Sequence, residues 1–132
     1  MLQIRGHQEE VLADVLLLER IHKSMHRNIV SFRECPLEDT SEFSAMAFTH
    51  AKSLGFKSER ALASYVLSSW YVDIGFENKS PFLISLLQDL SSEFRITFAM
   101  NAWVSSFLKN ERNIAIANEE ALIAWVESTK FS

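Results

Sequence analysis

The stretch Ala51-Lys52-Ser53-Leu54-Gly55-Phe56-Lys57-Ser58-Glu59-Arg60-Ala61-Leu62-Ala63-Ser64-Tyr65-Val66-Leu67-Ser68-Ser69-Trp70-Tyr71-Val72-Asp73-Ile74-Gly75-Phe76 decides the fold class. Two helical patterns meet at Gly55. Glycine enters the left-handed conformation that ends a helix without a Cβ penalty. Lys52, in the last turn before it, suits the negative end of the helix dipole. Ser58 then predicts an N-cap, with Glu59 at the positive end of the following helix. Leu62, Val66, Ser69, Trp70 and Asp73 recur at spacings of three and four. Small residues between them (Ala61, Ala63, Ser64, Ser68) let a neighbouring helix come close. Gly75 predicts the stop.

The same grammar extends in both directions. Met1–Arg5 reads as a short, extended start. From His7 to about Val30, Val11, Val15, Leu18, His22, Met25 and Ile29 mark one face of a helix. Leu12, Leu16, Leu17 and Ile21 widen that face, so this helix should meet more than one neighbour. Cys35-Pro36 breaks the pattern, because proline restricts the residue before it. Leu37–Thr40 reads as a linker, and Thr40 or Ser41 as the cap of a helix with Phe43, Met46, Ala47, His50 and Leu54 inward. Past Gly75, Glu77–Pro81 reads as a loop in which Ser80 caps and Pro81 takes the first helical position. A short helix follows through Leu86 and Leu87. Ser91 or Ser92 begins another, with Phe94, Phe98, Trp103, Phe107 and Leu108 among its apolar positions. Lys109–Asn113 reads as a polar turn. Asn118 to about Lys130 reads as a last helix with Leu122, Trp125 and Val126 inward. The expectation is an all-α single domain, residues 1–132, of about five or six helices.

Composition narrows the function classes. Three glycines and two prolines in 132 residues are few for an all-β chain. The net charge of −4 disfavours non-specific nucleic-acid binding. The one cysteine, Cys35, excludes an internal disulfide and fits a reducing cytoplasm. The N-terminus lacks a signal-peptide layout, and no run of apolar residues is long enough to span a bilayer. No nucleophile elbow and no glycine-rich phosphate loop occur. The chain is therefore expected to be non-enzymatic and to carry no cofactor.

Two patterns have competing readings. His22 and His26 lie one turn apart, with Glu19 a turn before, a spacing that suits zinc. The histidines bracket Lys23-Ser24-Met25, so the glutamate of a zincin motif is missing. His22 also falls on the apolar stripe, where a hydrogen-bonded core histidine is the alternative; no metal is assigned. Glu34, Glu38, Asp39 and Glu42 cluster around the proline corner, as a solvated linker or an acidic docking patch. Asp73 either ties down its loop or marks a polar point in a groove. The aromatic load exceeds what one small core needs. Trp70, Tyr71, Phe76 and Phe82 are accordingly the candidate partner-binding residues. Membrane binding is not expected, because no helix pairs this aromatic face with a strongly basic one.

The order of landmarks resembles a family of small bacterial helical proteins encoded beside type VI secretion genes. Those landmarks are Met1-Leu2-Gln3-Ile4 before a glutamate-containing helix, the run Ala51–Glu59, Leu62 with Tyr65-Val66, Gly75-Phe76, and Pro81-Phe82 before Leu86-Leu87. The chain departs from the pattern in having Phe82 where tryptophan is common, and Lys79-Ser80 where an acidic residue often precedes the proline. The resemblance carries no catalytic residues. It implies a cytoplasmic adaptor or co-chaperone that binds a secretion effector, an adaptor or the spike protein. The alternative is an immunity protein that blocks a cognate toxin. An exposed apolar patch would also suit a homodimer.

Overall fold

The computed structural model describes residues 2–89 and 92–111, with side chains described for 11–89 and 92–109. The architecture is all-α. Among the described residues there are six α-helices, α1 (Leu2–Asn28), α2 (Val30–Arg33), α3 (Leu37–Ser53), α4 (Glu59–Tyr71), α5 (Pro81–Leu87) and α6 (Glu93–Glu111), with a 3-10 turn at Phe76–Lys79. Among the described residues there is no strand. None of the described helices is long and apolar enough to cross a membrane. The chain divides into two compact units, residues 1–45 and 46–132, with the division falling inside α3.

In the first unit, α1 begins at Leu2 and replaces the extended start read from Met1–Arg5. It ends at Asn28, whose side-chain amide donates to the Ser24 carbonyl at 2.8 Å. Ile29 is extended (φ −118°, ψ 110°) and turns the chain into α2. Leu17, Ile21, Met25, Ile29 and Phe32 are buried. The Cys35-Pro36 break falls where proline chemistry puts it, but α3 starts directly at Leu37. The Thr40 amide donates to the Pro36 carbonyl at 3.1 Å, which closes the first turn. Leu37–Thr40 is thus helix and not linker. Glu38 and Asp39 sit in its first turn, where the dipole favours them.

The second unit is built around α4. Gly55 has φ 100° and Gly75 φ 90°, so both helix stops use the left-handed conformation that L side chains resist. Ser58 caps α4 by accepting from the Ala61 amide at 3.1 Å. Every residue from Ala61 to Ser69 is buried. A helix buried on all faces needs small residues, and four of these nine are Ala or Ser beyond Ser69 itself. Helix α6 packs along α4. Ser64 donates to Asn101 Oδ1 at 2.8 Å, and the Glu93 carboxylate accepts from the amides of Lys57 (2.7 Å) and Ser58 (3.2 Å). One carboxylate at the start of α6 therefore satisfies amides at the start of α4. Ile96, Met100, Val104 and Leu108 form the buried stripe of α6. Ser80 caps α5 by accepting from the Leu83 amide at 3.2 Å, with Pro81 in the first turn. The Arg95 amide donates to Ser92 Oγ at 3.4 Å, so Ser92 opens α6. Helix α6 runs through Lys109 to Glu111, which corrects the polar turn expected there. The last helix expected from Asn118, with Trp125, lies outside the described residues.

Candidate functional site

The histidine pair of α1 is arranged for packing. His22 and His26 stack with ring centroids 6.4 Å apart, and Phe32 meets the edge of His22 at 5.3 Å. The Thr40 hydroxyl donates its single proton to the Leu37 carbonyl (3.1 Å), so His22 Nε2, 3.1 Å from Thr40 Oγ1, is the donor of that pair. Burial, and secondarily the neighbouring His26, holds the His22 pKa below its ordinary value. Both effects favour a neutral ring that donates one hydrogen bond. Among the described residues no group of three or more His, Cys, Asp or Glu side chains is placed to hold a metal ion. Cys35 is a free, half-buried thiol that donates to the Ser31 carbonyl at 3.3 Å. Glu34, Glu38, Asp39 and Glu42 are all exposed, and so is Asp73.

The densest polar cluster centres on a residue that reads as loop in the sequence. Glu77, in the 3-10 turn, is 3% exposed. Its carboxylate accepts from the Tyr65 hydroxyl at 2.5 Å and from His50 Nε2 at 2.8 Å. The Gly75 amide in turn donates to the Tyr65 hydroxyl oxygen at 2.9 Å. Burial, then the hydrogen bond to Glu77, pushes the Tyr65 phenol far above its ordinary range. A carboxylate on an imidazole is the orienting half of many catalytic sites. Here its second oxygen is committed to a phenol that stays protonated, so the hydroxyl is a fixed donor and not an acid or nucleophile. The cluster ties the turn Phe76–Lys79 to α3 through His50 and to α4 through Tyr65. It also explains why a buried carboxyl group is tolerated, because both of its oxygens are hydrogen-bonded.

An aromatic column continues from this cluster. Tyr65 stacks on Phe76 at 4.9 Å, Phe76 on Trp103 at 5.8 Å, and Trp103 on Phe107 at 5.2 Å. Phe76 is fully buried in it, which removes this candidate partner-binding residue from any contact surface. Trp70 and Tyr71 are half-buried, and burial raises the Tyr71 phenol pKa. Of the four candidates only Phe82 stands out, at 62% exposed. Two more phenylalanines join it from the second unit. Phe94 and Phe98, one turn apart on α6, are 69% and 68% exposed. Helix α5, which carries Phe82, packs against α6. Sequence reading put Phe94 and Phe98 among apolar helix positions but did not separate them from the core stripe. The signal that does so is register. Ile96, Met100 and Val104 share the buried face, and at 100° per residue Phe94 and Phe98 fall on the far side of the helix from it.

Comparison with protein-family models, with curated proteins and with solved structures finds no match for the chain.

Proposed function

We propose that this chain is a non-enzymatic protein-interaction module whose contact surface is built on Phe82, Phe94 and Phe98. The observation that carries the reading is the exposure of three phenylalanines on two packed helices of one unit. Fully burying one such ring is worth about 1.5–3 kcal/mol. Three therefore supply several kcal/mol toward an interface and, left in water, keep an apolar surface that monomers generally avoid. The half-buried Trp70 and Tyr71 remain candidates for the margin of a contact. The polar cluster at Glu77 serves this function indirectly, by fixing the turn from which α5 departs.

The partner class comes from the resemblance described above: a secretion effector, its adaptor or the spike, bound in the cytoplasm as an adaptor or co-chaperone would bind it. The test is co-purification of the tagged chain from its own cells. Stoichiometric recovery of one of these proteins, lost with Phe94→Asp/Phe98→Asp, is the expected outcome. Equal recovery with the double variant overturns the assignment of the surface.

The exposed acidic group Glu34, Glu38, Asp39 and Glu42 favours a second reading, an immunity protein for a basic toxin. That reading expects a toxin to co-purify with its activity blocked. It also expects binding to weaken steeply with salt and to survive Phe94→Asp/Phe98→Asp.

A further inference from the structure

No further inference is drawn: the strongest candidate, the cavity of about 420 Å³ between α1 and α3 whose wall includes Val15, Leu18 and His22, adjoins the exposed apolar face of α1, and nothing in the structure shows what covers either.

Discussion

Replacing Glu77 with alanine should destabilise the fold far more than a loop substitution would. The carboxylate is 3% exposed and accepts two hydrogen bonds, from Tyr65 at 2.5 Å and His50 at 2.8 Å. A hydrogen bond to a charged group is worth about 1.5–3 kcal/mol. The His50 side chain is 33% exposed, so its contribution belongs at the low end. Truncation also leaves the buried Tyr65 proton without this acceptor. Two such hydrogen bonds near the low end sum to about 3 kcal/mol, and Glu77→Ala is expected to cost about that much. Glu77→Gln is a finer probe. Its carbonyl oxygen still accepts from Tyr65, while its amide meets His50 Nε2, which must give up its proton to accept. About 1–2 kcal/mol should be lost, the difference between charged and neutral hydrogen bonds. Urea unfolding followed by circular dichroism and by tryptophan fluorescence reads both, since Trp103 stacks on Phe76 beside the cluster. A double-mutant cycle of Tyr65→Phe with Glu77→Ala should show a coupling of about 0.5–3 kcal/mol. A loss below about 1 kcal/mol for Glu77→Ala, with an additive cycle, would refute the idea that this cluster fixes the turn.

Other consequences follow from the same geometry. Tyr65 keeps its proton when folded but loses it near the ordinary phenol value of 10.0 when unfolded. Above that pH the native state binds more protons, so stability should fall by about 1.4 kcal/mol per pH unit for this group. Tyr65→Phe should remove that slope from alkaline denaturation curves, leaving the same-direction effect of Tyr71. His22 is shifted the other way, below 6.5. Its stabilising effect is present above pH 6.5 and is lost as pH falls toward the folded-state value, so His22→Gln should flatten thermal stability between neutral and mildly acidic pH. Gly75→Ala should cost about 1–2 kcal/mol from backbone strain alone, because a Cβ there meets only Asn78 Nδ2 at an ordinary 3.7 Å. Gly75→Asn should cost less, since asparagine tolerates φ near 90°.

Much of the fold was legible because its punctuation is local. Gly55, Ser58, Gly75, Ser80 and Pro81 each act on a backbone group within three or four residues, and each is found where its chemistry puts it. One departure has a local cause. Leu37–Thr40 looked polar enough to be a linker, yet charges in a first turn favour a helix through the dipole. The site was less legible than the fold. Glu77 looked like an ordinary loop carboxylate, and its partners lie 12 and 27 residues away, so no local pattern reports its burial. Phe76 and Phe82 looked equivalent as aromatics near a turn. Packing against Tyr65 and Trp103 buries the first and leaves the second in water.

The most direct test of the proposed contact surface is photo-crosslinking in the native cells, with a photoreactive residue placed at Phe98 and, as a control, at the exposed Thr49. The expected result is a discrete protein adduct from position 98, identified by mass spectrometry as a secretion effector, adaptor or spike, and none from position 49. Adducts from position 49 alone, or none from either, would contradict it.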